Sequence, residues 1–226
     1  GAGGYLVPDE FDDRLVQALK EKNIMRQLGT TMTTERDLKI PVALSNGEAD
    51  WIEEGKPMTF MDAEFGQIRI DAFKLATSIR CTDEMLEDSG INLETFIEEA
   101  FASALGDKEE EAFFMGDGNG KPIGIVYQAE VAEEVTADEL NLDVALDLVY
   151  SVKTPYRENN AAFILSEDAY MVLRKQKVRD GKYVWSHNLK DGEPETLFGY
   201  PVYVTNNLPE IAEGNVVMLF GDFSYY

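Results

Sequence analysis

One stretch, residues 81–125, leaves this chain the fewest choices. A capped turn, Thr82-Asp83-Glu84-Met85-Leu86-Glu87-Asp88, leads into Leu93, Phe96, Ile97, Ala100, Phe101, Ala104 and Leu105, which keep the i, i+3, i+4, i+7 spacing of one helix face. The spacing predicts an amphipathic helix from about Asn92 to Met115, roughly 36 Å long. Glu94, Glu98, Glu99, Asp107, Glu109, Glu110 and Glu111 cover most of its other face. A helix this long in a chain of 226 residues is a spine on which other elements pack. It stops at Phe114-Met115-Gly116-Asp117-Gly118-Asn119-Gly120-Lys121-Pro122-Ile123-Gly124-Ile125. That cluster reads as a glycine cap followed by a tight turn, with Gly116, Asp117, Gly118, Pro122 and Gly124 as its structural residues.

Upstream of the spine lies an extended hairpin. Leu38, Ile40, Val42 and Leu44 alternate with Lys39, Pro41 and Ala43, which is strand periodicity. Pro41 cannot donate to a ladder, so this strand belongs on an edge. Asn46-Gly47 signals a turn. A polar loop, Glu53-Glu54-Gly55-Lys56-Pro57, belongs near the tip. Alternation resumes from Gln67 to Cys81, roughly 50 Å at strand rise, with a change of phase between Ala72 and Phe73 that suggests a bulge. A ribbon of that length has no core of its own and is marginal in water, so it calls for a partner surface.

The flanking segments are more ordinary. Pro8-Asp9-Glu10 suits a first helical turn, Phe11, Leu15, Ala18 and Leu19 share a face, and Gly29 closes that helix. Beyond Gly124 the pattern turns to mixed helices and strands. Leu142, Ala145, Leu146 and Val149 mark a helix, with Thr136-x-x-Glu139 as a capping box upstream. Ala161–Leu165 reads as a buried strand, Ser166 as the cap of a helix running to about Lys175, and Pro201–Thr205 and Val216–Phe220 as further strands. The change of style near residue 130 suggests a second lobe.

Composition excludes several classes. The formal charge of -23 argues against a general nucleic-acid binder, because phosphate neutralisation needs clustered cations. That charge is uneven: residues 82–115 hold eleven acids against one base, whereas 153–190 hold eight bases against four acids. Such faces keep a protein soluble, and they also allow acidic and basic surfaces of neighbouring copies to meet. Apolar runs of about five residues are far short of the ~18 that span a bilayer. The opening lacks the regions of a secretory signal. Cys81 stands alone, which rules out an internal disulfide and fits a reducing compartment.

No motif supplies chemistry. A phosphate loop ending at Gly120-Lys121 needs glycine where Met115 sits and serine or threonine where Pro122 sits. A calcium loop from Asp117 would place Lys121 against the cation and Gln128 in the place of the bidentate glutamate. His187 is the only histidine, and Trp185-Ser186-His187-Asn188 has no ligand spacing. The expectation is no catalytic residue, no cofactor and no metal. Arg174, Lys175, Lys177 and Arg179, with Tyr183 and Trp185 nearby, mix cations with stacking rings as in nucleic-acid binders. They read more readily as the exposed end of a helix whose cations meet its negative terminus.

The order of the short motifs resembles the major capsid proteins of tailed bacteriophages. Gly4-Tyr5-Leu6-Val7-Pro8 resembles that family's opening segment. Leu38-Lys39-Ile40-Pro41-Val42, Ala49-Asp50-Trp51-Ile52-Glu53-Glu54-Gly55, Phe65-Gly66-Gln67-Ile68 and Lys74-Leu75 resemble its extended loop. Thr82 to Ser89 resembles the entry to the spine helix, and Gly116-Asp117-Gly118 through Pro122-Ile123-Gly124 its recognisable turn. Gly199-Tyr200-Pro201-Val202 and Phe220-Gly221-Asp222-Phe223 recur in the same order downstream.

The resemblance implies an α+β tailed-phage major capsid fold with a peripheral lobe, a long spine helix, an extended β-hairpin loop and an axial α/β lobe. The implied division is an N-terminal arm remnant at 1–10, a peripheral lobe of 11–31 and 81–136, an extended loop at 32–80, and an axial lobe at 137–226. The family's C-terminal return to the peripheral lobe is expected to be missing. So is the lysine–asparagine cross-link that some members form, although Lys56 lies near the loop tip.

The implied function is a structural subunit that self-assembles into the icosahedral shell of a tailed phage or prophage enclosing double-stranded DNA. It would be made in the bacterial host cytoplasm and end in the virion capsid. Its partners would be copies of itself in pentamers and hexamers, with a scaffold and a maturation protease as further candidates. No sequence-specific nucleic-acid binding and no membrane are expected. Trp51, Lys56 and Phe60 of the loop, and Arg174, Lys175, Lys177 and Arg179 of the basic segment, are the candidate intersubunit contacts. Two other readings stand beside it, an encapsulin-like compartment shell and a small acidic enzyme or ligand-binding domain.

Overall fold

A computed structural model describes residues 9–32, 38–43, 65–70, 72–78, 93–127, 134–158, 160–177, 180–185 and 195–225. The chain divides into two compact units, one of Gly1–Thr31 with Leu75–Tyr226 and one of Met32–Lys74. The expected turn at Asn46-Gly47, the loop tip with Trp51, Lys56 and Phe60, Cys81, the capped turn at 82–88, Arg179 and His187 lie outside the described residues.

In the smaller unit, β1 (Leu38–Ala43) and β2 (Phe65–Ile70) form a two-stranded antiparallel ribbon. Leu38 is the register partner of Ile70, Ile40 of Ile68 and Val42 of Gly66, while Lys39 is set opposite Arg69. Pro41 pairs with Gln67. Both strands of a two-stranded ribbon are edges, so a residue with no N–H is tolerated there. The return strand is shorter than its alternation suggested. Residues 72–78 belong to no strand and are exposed, Phe73 by 45% and Leu75 by 46%. Among the described residues, β1 begins at Leu38, opposite Ile70, and supplies no partner for 72–78.

The larger unit is built on a four-stranded sheet of order β4-β5-β3-β6. Its strands are β3 (Ala161–Ser166), β4 (Thr196–Leu197), β5 (Tyr200–Thr205) and β6 (Met218–Asp222). Strand β3 runs parallel to β5 and antiparallel to β6, and β4 pairs antiparallel with β5. Every residue of β3 is buried, as an apolar strand covered on both faces requires. Phe163 and Leu165 join Ala145, Val149, Ala169, Leu173, Trp185, Leu197 and Val202 in one core. Ala162 and Ile164, of the other parity, join Met25, Phe114, Leu208 and Phe223 in a second. Burying each large side chain of this kind is worth about 1.5–3 kcal/mol. The second core therefore draws on the N-terminal helices, the end of the spine and the sheet together.

The helices follow from local chemistry. Helix α1 (Asp9–Lys22) and the short α2 (Ile24–Leu28) are separated by Asn23, whose side-chain oxygen accepts from the Arg26 N–H at 3.2 Å. Gly29 ends α2, its N–H donating to the Met25 carbonyl at 2.7 Å. The spine, α3, runs Leu93–Met115, within a residue of the expected bounds. Helix α4 (Leu142–Ser151) starts later than the Thr136-x-x-Glu139 box proposed. Its cap is Asn141, which accepts from the Val144 N–H at 3.0 Å, and Gln176 Oε1 accepts from the Leu142 N–H at 3.1 Å. With two first-turn donors met there, the upstream box has nothing to cap.

After the four-residue α5 (Thr154–Arg157), Ser166 closes β3 and caps α6 (Glu167–Arg174), accepting from the Ala169 N–H at 3.2 Å. That switch explains why β6 starts at Met218 and not at Val216. Pairing with β3 runs out at Leu165 and Met218, and the Val217 carbonyl accepts only the Ser166 N–H, at 2.9 Å. A short 3-10 turn, Phe223–Tyr225, follows β6 and touches α2.

Candidate intersubunit surfaces

The spine uses a different face for its own chain than its apolar stripe indicated. Helix α1 packs on the side of Ala102 and Gly106, both buried, where a side-chain carbon added at Gly106 would lie 3.4 Å from Leu19. Small residues let the two helices approach closely. Ionic contacts flank that crossing: Arg14 with Glu98 at 2.9 Å, Lys22 with Asp107 at 3.0 Å, and a two-point contact of Arg26 on Glu109 at 2.7 and 2.9 Å. Glu110 Oε1 accepts from the Ile24 N–H at 3.3 Å. Burial pushes the Glu110 carboxyl above its ordinary range, against the opposing pull of that hydrogen bond. The hydrogen bond that Arg26 donates to Glu109 holds the guanidinium more firmly protonated. Four of the acids that seemed to be a solvated face thus hold the N-terminal helices, Glu98 and Asp107 on α1 and Glu109 and Glu110 on α2.

The apolar stripe lies on the far side. Phe96 is 46% exposed, Ala104 is exposed, and Ile97, Ala100, Phe101 and Leu105 are half-buried. Large apolar groups left at this level of contact on a long helix are typical of surfaces covered in an assembly.

The turn after the spine is a built corner. The Gly124 N–H donates to the Gly116 carbonyl at 2.8 Å, and Ile125 and Val126 donate to the Phe113 and Phe114 carbonyls at 2.8 and 3.3 Å. The returning chain thus satisfies carbonyls that a helix end leaves open. A side-chain carbon at Gly116 would sit 2.0 Å from the Pro122 carbonyl oxygen, and one at Gly124 would sit 2.4 Å from that of Phe114. Asp117 accepts from the Asn119 N–H at 3.1 Å, which holds its carboxyl below the usual range, and Gly118 has φ of 76°. Lys121 lies 3.7 Å from Asp117, so a cation site here already has its own ammonium group.

The basic segment splits in two. Arg174 turns inward: Nη1 donates to Glu195 at 2.6 Å, and the guanidinium lies 5.4 Å from the Trp185 ring centre and 5.8 Å from that of Tyr170. Tyr170 also donates to Glu195, at 2.6 Å, and burial with that carboxylate raises its hydroxyl above the ordinary phenol range. Arg174 therefore braces the segment within its own chain. Lys175 and Lys177 are exposed, as is Lys182. Lys177 and Tyr183 form an isolated antiparallel bridge, and the Lys177 ammonium lies 4.7 Å from the Tyr183 ring centre. Sequence reasoning grouped the cations but missed Glu195, which is 21 residues away and gave no local signal.

An open cleft of about 320 Å³ is lined by Leu142, Val184, Trp185, Thr196, Leu197, Phe198 and Gly199, none of which titrates. Among the described residues no three of His, Cys, Asp and Glu are grouped to hold a metal, and no helix is long and apolar enough to cross a membrane.

The model of the phage capsid family matches residues 3–226, and the chain belongs to that family. The major capsid protein of Klebsiella oxytoca phage phiKO2 is 20% identical over 239 aligned residues, covering 99% of this chain and 55% of that protein. The major capsid protein of Escherichia phage T5 is 26% identical over 217 residues, covering 88% of this chain and 47% of that one. The chain thus spans about half the length of these relatives. Among solved structures, the capsid of a native GTA particle computed with C5 symmetry superposes with a TM-score of 0.73 at 27% identity, over 88% of this chain and 73% of that one. A structure from Mycobacterium phage Bobi gives 0.64 at 17% identity, over 89% and 69%. The fold is the α+β fold of tailed-phage capsid proteins.

Proposed function

We propose that this chain is a structural, non-catalytic subunit that self-assembles into the icosahedral shell of a tailed phage or prophage around double-stranded DNA. The observation that carries the reading is the family match across residues 3–226. The likeness to a capsid computed with C5 symmetry supports rings of five as one of its assemblies. Hexamers, a scaffold, a maturation protease and synthesis in the host cytoplasm complete the proposal.

The division into an arm at 1–10, a peripheral lobe at 11–31 and 81–136, a loop at 32–80 and an axial lobe at 137–226 belongs to the same reading. In it the loop of one copy, with Trp51, Lys56 and Phe60, lies over an adjacent copy. The half-exposed spine stripe around Phe96 is the apolar surface available for such a contact. Closed shells reuse one subunit through head-to-tail contacts whose rotation closes. A net negative shell also avoids gluing itself to packaged DNA.

Negative-stain microscopy of the intact gene product tests the reading. Uniform hollow particles or rings are expected. A compact monomer at every concentration and ionic strength would overturn it.

A further inference from the structure

Two exposed surfaces of the larger unit carry opposite charge, and among the described residues neither is joined to its own chain by an ion pair. The first is the outer face of α4. Asp143, Leu146, Asp147 and Tyr150 follow one another at helical spacing and are all exposed, Leu146 by 36% and Tyr150 by 67%. Asp138 and Glu139, also exposed, add acids just before its N-terminus. The second is the finger that leaves α6 and returns through the Lys177–Tyr183 bridge. The Val184 N–H donates to the Gln176 carbonyl at 3.0 Å, and Gly181 has φ of 79°. Lys175, Lys177 and Lys182 are exposed on it, beside Tyr183 at 57% and Val184 at 49%.

The acids of the spine are unlike those of α4. Glu98, Asp107, Glu109 and Glu111 already meet Arg14, Lys22, Arg26 and Lys108 of their own chain. No ion pair among the described residues joins Asp143 or Asp147 to Lys175, Lys177 or Lys182. Each surface also sets exposed apolar groups among its charges, as rims and centres of interfaces do. A chain of net charge -23 repels its own copies, so a local region of opposite sign is where approach is favoured.

We propose that the occupant of the basic finger is a second copy of this chain, and that the finger of one subunit docks on the acidic α4 face of the next around a ring. The proposal rests on the shell reading and deepens it by naming the two surfaces. Both belong to the same unit, and the docking sets one copy's finger against the next copy's α4 by rotation about the ring axis. Head-to-tail contact of two different patches is what ring closure requires.

Charge reversal with rescue is the test. Lys182→Glu and Asp147→Lys both alter exposed side chains remote from the core, and circular dichroism of each variant checks the fold. Each single reversal is expected to raise the protein concentration needed for ring or shell formation, roughly fivefold for one exposed ion-pair contact. The double variant restores the pairing in reverse and is expected to return most of the loss. Singles that assemble like the parent, or a double no better than its singles, would overturn the docking while leaving the shell reading intact. Unchanged assembly with weaker retention of DNA by Lys182→Glu would assign the finger to nucleic acid instead. A parent that never assembles would remove the shell reading and this inference with it.

Discussion

Gly124 and Gly120 lie in the same turn yet do different work. A side-chain carbon at Gly124 would meet the Phe114 carbonyl carbon at 2.5 Å and the Gly116 nitrogen at 2.6 Å, all backbone, so nothing can rotate away. At Gly120 no atom lies within 4 Å, and only the φ of 69° opposes a side chain. Gly120→Ala is therefore expected to cost about 1 kcal/mol, and Gly124→Ala on the order of 3 kcal/mol or more. Urea denaturation of the two variants should separate them clearly, and equal losses would show that the corner is not packed this way.

Glu110 gives a pH-dependent case at the same scale. Its carboxyl is raised by burial, so the folded state binds a proton more readily than the unfolded one. Its contribution to stability is therefore present below the ordinary carboxylate value of 4.5 and falls as pH rises through the raised one. Glu110→Gln keeps an acceptor for the Ile24 N–H without the charge. It should raise the melting temperature slightly at neutral pH and leave it unchanged in acid, and a loss at neutral pH would refute the assignment.

At the scale of elements, the extent of the spine was legible and its orientation was not. Periodicity from Leu93 to Leu105 locates a helix, and the glycines after Met115 end it, because both signals are local. Which side faces α1 depends on Ala102 and Gly106, whose small size counts for little in an apolar tally but sets how closely two helices approach. The same distinction governs Phe96. Since that ring is 46% exposed, Phe96→Ala should change subunit stability by less than about 1 kcal/mol. Its effect should fall on self-association, read as a shift in the concentration for assembly by light scattering. A large loss of stability with normal assembly would mean that the stripe serves the subunit's own fold.

For the molecule as a whole, both core clusters draw, among the described residues, on positions outside Met32–Lys74. A subunit lacking residues 45–65 should therefore still fold cooperatively while failing to form particles. Normal particles from that deletion would show that the loop does not clamp neighbours. A deletion that cannot fold would show that the ribbon belongs to the core.

Periodicity, turn residues and charge distribution by themselves determined the spine, the ribbon, the buried strand β3 and the glycine corner. Each depends on neighbours a few residues apart, and their order along the chain carried the family resemblance. Only the tertiary structure decided that the spine's acids hold α1 and α2, that Gln176 meets the start of α4, and that Arg174 is taken by Glu195. Those choices join residues about 20 to 85 positions apart, and close packing with its geometry of charge, not local preference, selects among the partners available.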